Sequence, residues 1–470
     1  MEKEDLKKYF DANAAAAHKW HARSRYYYND LKSFFCLNIE PGAKVLEIGS
    51  GTGELLAAVG PSRGLGIDLS AVAARLAKEK YQGVEFVAGD IDAGVAWQEK
   101  FDYVIISDLI GYLEDIEKSF LNLKAACTPR TRLIVTHYNN LWWPALKAAE
   151  FLGLKQKQPI VNWIGGEDIK GLLRLAGFEV VRRGRRLLFP KYLPLVSWFL
   201  NKVIANLPLL NYLCLTEYLI LRPEPEDPKK DFSVSVIIPA RNEKGNIEDA
   251  VLRTPAMGAG TEIIFVEGNS TDDTMSEINR VVAKYGGERN IKALKQDGRG
   301  KGDAVRKGFE AASGEILMIL DADLTVPPED LPRFYEIMRR GRAEYVHGTR
   351  LVYPMERAAM QFLNYLANKF FGLSFSWVLG QYLTDTLCGT KVLFKADYEK
   401  IKANRKFFGE FDPFGDFDLI FGASKLNLKI VEIPIHYRER KYGQTNISRF
   451  SHGLLLFKML AIGIKKFKLT

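Results

Sequence analysis

Short apolar runs recur along both halves of the chain, and each stops abruptly at glycine, proline or acidic residues. Runs of this length with such ends predict buried strands rather than helices. Helix-compatible segments separate the runs, and alternating strands and helices predict an α/β fold in each half. The runs that we interpret as strands are 45–48, 64–67, 84–87, 103–106 and 178–181, followed by 233–238, 262–266 and 315–320.

A segment rich in proline and charge, residues 222–231, has nothing to bury and is the clearest candidate for a linker. The length of 470 residues predicts two or three domains. We therefore expect one domain at 1–221, a second at 232–450, and an amphipathic basic helix at 451–470. The aromatic first residues, 1–36, are expected to be helical, either packed on the first domain or covering a cofactor as a lid.

Composition narrows the classes of partner and compartment. The hydrophobic content of 47% is a globular value, and the net charge of +9 favours anionic partners such as nucleotide phosphates or an anionic membrane. No zinc-finger spacing or RNA-binding signature supports nucleic acid. Four scattered cysteines indicate a reducing cytoplasm. We expect neither a secretory signal nor a transmembrane helix, because no apolar run reaches about 18 residues.

The first strand of the chain runs into a glycine-rich turn. Glu47 lies one residue before the end of the strand, and Gly49, Gly51 and Gly53 follow in the pattern E-x-G-x-G-x-G. Glycines at such a turn let the backbone approach a ligand closely.

Acidic residues end the next three strands, and they complete a recognisable pattern. Asp68 is placed to accept both ribose hydroxyls of a nucleoside, Asp90 to accept from an adenine amine, and Asp108 ends the fourth strand. This block, residues 40–140, resembles the class I S-adenosylmethionine-dependent methyltransferases. The resemblance implies a Rossmann-like fold that binds S-adenosylmethionine, with Glu47 and the glycines at its methionine end.

The methyl acceptor is not readable from the sequence. Asp108, Tyr112, His137 and Tyr138 follow strand ends, so they are expected to line the mouth of the pocket. Many relatives have a histidine near position 112, where this chain has Tyr112, so the general base is not identified by the resemblance. We therefore keep His137 open as either a general base or an ordinary polar wall residue.

The apolar run 315–320 ends at Asp321-Ala322-Asp323. Open α/β sheets place ligands at the carboxyl ends of their strands. Two carboxylates there can share one Mg²⁺ or Mn²⁺, which would in turn bridge the diphosphate of a nucleotide-sugar. Two acids in a surface turn are the alternative.

Four segments in order, P-A-R-N-E from 239, V-E-G-N-S-T-D from 266, G-K-G-D-A from 300 and D-A-D from 321, resemble glycosyltransferase family 2 domains of GT-A architecture. Downstream segments resemble the dolichol-phosphate mannose synthase and polyprenyl-phosphate glycosyltransferase group. The resemblance implies metal ligands at Asp321 and Asp323. It implies catalytic roles for Asp385, Asp416 and Arg440. It implies substrate contacts at Pro239, Arg241, Glu243, Glu267, Arg299, Lys301, Asp321, Arg350, Lys391 and Arg438.

Together the halves predict a bifunctional enzyme of glycolipid or cell-surface polysaccharide synthesis. One half would transfer a sugar, with inversion, from a nucleotide-sugar to a polyprenyl phosphate or glycan, and the other would transfer a methyl group. Asp416 would be the base for a hydroxyl acceptor, or merely a helix cap. Residues 361–383 and the C-terminal helix would either lie on the inner face of an anionic membrane or pack internally. A scaffold with one inactive half and a nucleotidyltransferase remain alternatives.

Overall fold

The computed structural model describes residues 3–159, 162–226, 230–353, 362–407, 415–440, 442–443 and 449–469, with the backbone alone at 362–364, 416 and 449–452. The chain divides into two compact units, Met1–Glu224 with Lys468–Thr470, and Pro225–Phe467. Each unit is an α/β domain, as expected.

The first unit is built on one seven-stranded sheet. Its strands are β1 (Lys44–Ile48), β2 (Arg63–Asp68), β3 (Glu85–Ala88), β4 (Phe101–Ser107), β5 (Cys127–Tyr138), β6 (Phe178–Arg186) and β7 (Thr216–Pro223). Its helices are α1 (Lys3–Ala14), α2 (Ala17–Arg23), α3 (Arg25–Asn38), α4 (Glu54–Ala58), α5 (Ala71–Lys80), α6 (Ile116–Lys124), α7 (Trp143–Phe151), α8 (Gly166–Leu175) and the short α9 (Val196–Trp198). Short 3₁₀ or π turns occupy Ile110–Tyr112, Asn140–Trp142, Phe199–Val203, Ile204–Asn206 and Leu209–Leu213.

The strand order of this sheet is β3-β2-β1-β4-β5-β7-β6. Strands β1 to β5 are parallel, whereas β7 runs antiparallel to β5 and β6 runs antiparallel to β7. The carboxyl ends of β1, β2 and β4 therefore meet at one edge, where the glycine turn and the acids lie. Helix α3 packs into the core through Tyr27 and Phe35, so this part of residues 1–36 is packed on the first domain.

Two charged segments at the end of the first unit belong to its sheet. The arginines at 182–186 lie in β6, and the Arg182 side chain is buried. Strand β7 also extends into the expected linker, because Arg222 is buried and pairs with Glu179 at 2.5 Å. Both arginines have polar or acidic partners, which lets charged side chains be buried in a strand.

The second unit contains another seven-stranded sheet. Its strands are β8 (Val234–Ala240), β9 (Thr261–Glu267), β10 (Asn290–Lys295), β11 (Ile316–Ile319), β12 (Tyr345–Thr349), β13 (Lys391–Phe394) and β14 (Ile430–Pro434). Its helices are α10 (Ile247–Arg253), α11 (Thr274–Tyr285), α12 (Lys301–Ala311), α13 (Leu331–Arg339), α14 (Phe362–Leu379), α15 (Lys395–Ala403), α16 (Asp416–Lys425) and α17 (Arg449–Phe467). Short 3₁₀ turns occupy Lys244–Asn246, Pro328–Asp330 and Arg405–Phe407.

The strand order here is β10-β9-β8-β11-β13-β12-β14. This sheet is mixed, because β13 runs antiparallel to both β11 and β12. The parallel block β10-β9-β8-β11 brings the turns after β8, β9 and β11 to one edge.

Helices α14 and α17 each bury one face against the core of this unit, through Phe375 and Met459 among others. Other side chains of the same helices, including Leu373 and Leu454, are exposed. Residues 362–379 form one continuous helix. Within the described ranges, no helix combines the length and apolarity needed to cross a bilayer.

Candidate active sites

The glycine turn after β1 is braced from within the first unit. Glu47, at the end of β1, is buried, and its carboxylate accepts a 3.0 Å hydrogen bond from the Leu56 amide in α4. Burial raises the pKa of Glu47 well above its ordinary value. In the structure, this residue therefore fixes the start of α4 relative to the turn, beside the position that we expected for the methionine end of a cofactor.

Two glycines of the turn have different surroundings. Gly51 and Gly53 both adopt left-handed backbone angles, with φ of 51° and 82°. A Cβ on Gly53 would approach the Phe86 ring to 2.6 Å, whereas a Cβ on Gly51 would meet no protein atom within 4 Å. Gly53 is thus required for packing, and Gly51 faces open space. The Gly51 amide also donates to Asp68 at 2.7 Å, which orients that carboxylate towards the turn.

Asp90 lies after β3 and contacts the first helix of the chain. Lys3 of α1 contacts Asp90 at 2.7 Å and Asp92 at 2.6 Å. On the same helix, Asp11 accepts a 2.6 Å hydrogen bond from the Ser70 hydroxyl. Helix α1 therefore covers the ends of β2 and β3, as a lid would, while α3 packs in the core.

The residues expected at the mouth of the first unit do line one cavity. Asp108, Tyr112, His137 and Tyr138 all contribute to it. Asp108 accepts hydrogen bonds from the Tyr27 hydroxyl and, at 3.0 Å, from the hydroxyl of Thr136. Burial raises the pKa of Asp108. The tyrosine from α3 was missed, because no local pattern links position 27 to position 108.

His137 lines this cavity with a buried ring. Its Nε2 atom is 3.6 Å from Glu217 and makes no hydrogen bond to any residue that the structure describes. Burial lowers the pKa of His137, so the ring is neutral and able to accept a proton near neutral pH. A buried polar atom of this kind fits a ligand that supplies the missing hydrogen bond.

In the second unit, Asp321 lies directly after β11, next to Lys301 at the start of α12. The Lys301 ammonium is 2.5 Å from the Asp321 carboxylate. Burial alone would raise the pKa of Asp321, but Lys301, together with Lys391 and Arg350, more than offsets that effect, and the pKa lies below its ordinary value. A Cβ on Gly389 would overlap Asp321, at 1.9 Å. A side chain at position 389 would therefore displace the Asp321 carboxylate.

Asp323 contacts a different cation. The Arg440 guanidinium donates to Asp323 at 2.6 Å and to Glu243 at 2.6 Å, so it bridges the turns after β8 and β11. Burial raises the pKa of Glu243, although Arg440 opposes that effect. The hydroxyl of Thr325 donates to the other oxygen of Asp323 at 2.8 Å. The structure therefore brings Glu243, Asp323 and Arg440 together.

The turns after β8 and β9, where we expected nucleotide contacts, lie side by side. Pro239 pairs in register with Val266, and the Gly268 amide donates to the carbonyl of Ala240 at 2.8 Å. Glu267 is buried and accepts from the Ser270 amide, which closes the second turn. Two arginines, Arg241 after β8 and Arg299 before α12, are exposed.

We expected a catalytic role for Asp385 and a substrate contact for Lys391, but both side chains are completely buried. The Arg350 guanidinium donates to both oxygens of Asp385, at 2.6 and 2.8 Å. The Lys391 ammonium donates to the carbonyl of Cys388 at 2.5 Å. In this arrangement Asp385 positions Arg350, and Lys391 adds positive charge behind Asp321, rather than either one touching substrate.

The remaining predicted residues lie at the edge of this site. Arg438 is exposed, and its amide donates to the carbonyl of Thr325 at 3.0 Å. Asp416 is the first residue of α16, and its side chain lies outside the described part of the structure. A Cβ on the preceding Gly415 would approach Gly302 to 2.8 Å, so this helix begins beside the start of α12.

The carboxylates of Asp321 and Asp323 offer only oxygen ligands, which suits a hard divalent cation. Across the described residues, no group of three or more acidic, histidine or cysteine side chains forms a metal cage. Mg²⁺ bound in phosphate-transferring sites commonly uses one or two carboxylates and takes its other ligands from phosphate and water. Lys301 contacts Asp321 and Arg440 contacts Asp323, so both carboxylates attract positive charge in the structure.

Family models match both halves of the chain. Residues 20–183 match the model described as "Methyltransferase domain", and residues 235–401 match "Glycosyl transferase family 2". The chain joins a methyltransferase domain to a family 2 glycosyltransferase domain. The resemblances stated from the motifs are confirmed, and so is the pair of α/β folds.

Curated relatives match part of the chain. Dolichol-phosphate mannosyltransferase of Saccharomyces cerevisiae is 39% identical over 22% of this chain and 39% of its own length. Undecaprenyl-phosphate 4-deoxy-4-formamido-L-arabinose transferase of Edwardsiella ictaluri is 37% identical over 23% of this chain and 34% of its own. This chain thus spans well under half the length of either relative.

Among solved structures, glucosyl-3-phosphoglycerate synthase of Mycobacterium tuberculosis is 18% identical, with a TM-score of 0.36, over 50% of this chain and 80% of that one.

Proposed function

We propose that the glycosyltransferase domain transfers a sugar, with inversion, from a nucleotide-sugar to a polyprenyl phosphate. The observation that carries this proposal is the cluster after β11, where Asp321 and Asp323 lie with Lys301 and Arg440. The names of the two curated relatives support a polyprenyl phosphate as acceptor. Such a reaction belongs to glycolipid or cell-surface polysaccharide synthesis.

The roles of the residues follow from charge. Asp321 and Asp323 would hold Mg²⁺ or Mn²⁺, which supplies positive charge to the diphosphate that leaves. Lys301 stabilises the same developing charge at the start of α12. Arg350, held by Asp385, and the exposed Arg438 add cations for a second phosphate. A lipid phosphate is already anionic near neutral pH, so the reaction needs no strong base.

A donor-hydrolysis screen of the full chain with a panel of nucleotide-sugars, with and without Mn²⁺, tests this proposal. Products formed with undecaprenyl phosphate would then be identified by mass spectrometry. Turnover that survives Asp416→Asn supports the phosphate acceptor, whereas its loss indicates a hydroxyl acceptor that needs a base. Absence of any metal-stimulated donor cleavage contradicts glycosyl transfer.

We also propose that the methyltransferase domain binds S-adenosylmethionine over Gly51 and Asp68. The open space at Gly51 and the orientation of Asp68 support this site. Tyr27 and Thr136 hold Asp108 in the cavity, and His137 is placed to take a proton from the acceptor. Calorimetric titration with S-adenosylmethionine tests the site, with Asp68→Ala expected to weaken binding and the exposed Glu79→Ala as control. If the unaltered protein does not bind S-adenosylmethionine, the methyltransferase domain acts as a scaffold instead.

A further inference from the structure

The connection between β6 and β7 is much longer than its geometry requires. These strands are antiparallel neighbours, and a turn of a few residues can join such a pair. Residues 187–215 separate them instead, as a series of short helical turns. We call this segment the β6–β7 insertion.

Burial within the insertion departs from the ordinary pattern between its two ends. The polar side chains Ser197 and Asn201 are buried there, and Leu187 and Leu215 anchor the ends in the core, whereas many large apolar side chains between them are exposed. Leu195 and Leu209 are each 84% exposed, and Trp198 is 58% exposed. Contiguous exposed apolar surface on a folded protein marks a site of association rather than a random surface.

The insertion is nevertheless a built structure. Asn201 accepts from the Phe189 amide at 2.8 Å and donates to the Phe189 carbonyl at 2.8 Å. The Ser197 hydroxyl accepts from the Leu193 amide at 2.6 Å and donates to the Lys191 carbonyl at 2.8 Å. These two buried side chains thus satisfy four backbone groups of the insertion from within, as is favoured wherever a surface enters an apolar phase.

The charge of the insertion identifies its partner. Residues 187–215 contain Lys191 and Lys202 and not one aspartate or glutamate. A protein partner that covers leucine and tryptophan does not require the exclusion of acids, whereas an anionic lipid surface repels them. Tryptophan, tyrosine and leucine beside lysine are the composition of segments that lie in the headgroup region of a bilayer.

We propose that the β6–β7 insertion is a membrane-binding platform that seats the methyltransferase domain on anionic lipid. Leucine, tryptophan and tyrosine side chains enter the interface, and the exposed Lys191 contacts the headgroups. The inference stands on burial and charge alone, so it does not depend on which reaction either domain catalyses. It adds a third lipid-facing element to the two that the sequence suggested, 361–383 and the C-terminal helix.

Co-sedimentation of the full chain with vesicles tests the platform. Vesicles of phosphatidylcholine with phosphatidylglycerol are compared with vesicles of phosphatidylcholine alone. We expect the triple variant Leu195→Ser, Trp198→Ser, Leu209→Ser to lose at least about tenfold in partitioning, since three large apolar side chains would no longer be transferred from water. The control variant Leu175→Ser changes an equally accessible leucine on α8 and should bind as the unaltered protein does.

Two further measurements keep the outcome decisive. Trp198→Phe preserves size, and it should reduce the quenching of tryptophan fluorescence by brominated lipid even if the triple variant folds poorly. Calorimetric melting and sedimentation velocity report folding and association of each variant. Equal vesicle binding by the triple variant, or unchanged quenching in Trp198→Phe, overturns the proposal. A third outcome also overturns the proposal: the unaltered protein is a dimer that does not bind vesicles, and the triple variant is a monomer. The surface would then be an interface between copies.

Discussion

The Arg440 guanidinium donates a 2.6 Å hydrogen bond to the Asp323 carboxylate. Asp323 is one of the two acids to which we assign a metal, and Arg440 comes from the segment that follows β14. A cation of the protein thus neutralises this acid before any ligand arrives. Arg440 and a divalent ion would compete for Asp323, so that metal and donor binding must release the arginine towards phosphate.

We therefore expect Arg440→Gln to separate metal binding from turnover. A hydrogen bond to a charged group contributes about 1.5–3 kcal/mol. Its loss should tighten binding of Mn²⁺ alone by about tenfold, while sugar transfer falls by about 100-fold because a phosphate contact is lost. Titration calorimetry and a transfer assay measure the two effects. Arg280→Gln, on the exposed face of α11, should change neither. Weaker Mn²⁺ binding by Arg440→Gln would contradict the competition.

Two lysines of α12 provide a matched comparison. Lys301 is 2.5 Å from Asp321, and Lys307 is 2.7 Å from Asp297, so each lysine pairs with an aspartate. Asp321 lies at the proposed diphosphate site, whereas Asp297 is largely exposed. We expect Lys301→Met to reduce donor hydrolysis by about 100-fold or more, by loss of charge stabilisation. Lys307→Met should leave donor hydrolysis within about threefold of the unaltered protein, since exposed ion pairs contribute under about 1 kcal/mol. Equal losses in the two variants would contradict the assignment.

The sequence predicted the elements whose pattern is local and missed what depends on distant residues. Apolar runs located strands such as β1 and β11, because a buried parallel strand is apolar along its whole length. The acids that follow them were located for the same reason. In contrast, the burial of Lys391 results from the antiparallel placement of β13, and the bond from Tyr27 to Asp108 joins positions far apart in the chain. Neither has a local signature.

The glycine turn of the methyltransferase domain allows folding and binding effects to be separated. Gly51, Gly53 and Gly60 all have positive φ, so alanine costs about 1–2 kcal/mol at each position. Only at Gly53 would the added Cβ also collide with Phe86.

We expect Gly53→Ala to lower the melting temperature of the domain most. Gly51→Ala should unfold like Gly60→Ala but bind S-adenosylmethionine about tenfold or more weakly, because its Cβ enters the open space over the turn. Gly60→Ala carries the same strain and should bind normally. Calorimetric melting and ligand titration of all three variants measure these effects. Equal affinity of Gly51→Ala and Gly60→Ala would place the cofactor elsewhere.

The buried pair Arg350–Asp385 makes the stability of the glycosyltransferase domain depend on pH. Burial would raise the pKa of Asp385, but Arg350 lowers it to about 2. A carboxyl group whose pKa falls on folding stabilises the folded state above its unfolded pKa of about 4. That stabilisation is lost as the pH falls from about 4 towards 2.

Asp385→Asn leaves Arg350 as a buried charge without its counter-ion, and we expect it to cost about 3–5 kcal/mol at pH 7. The difference from the unaltered protein should shrink as the pH approaches 3, where Asp385 in the unfolded chain is protonated. The double variant Arg350→Met, Asp385→Leu removes both charges and should be more stable than Asp385→Asn, although inactive. Asp297→Asn breaks an exposed pair and should cost under about 1 kcal/mol. Urea unfolding at pH 7 and pH 3 measures all four proteins, and a pH-independent difference for Asp385→Asn would mean that ionised Asp385 does not stabilise this domain.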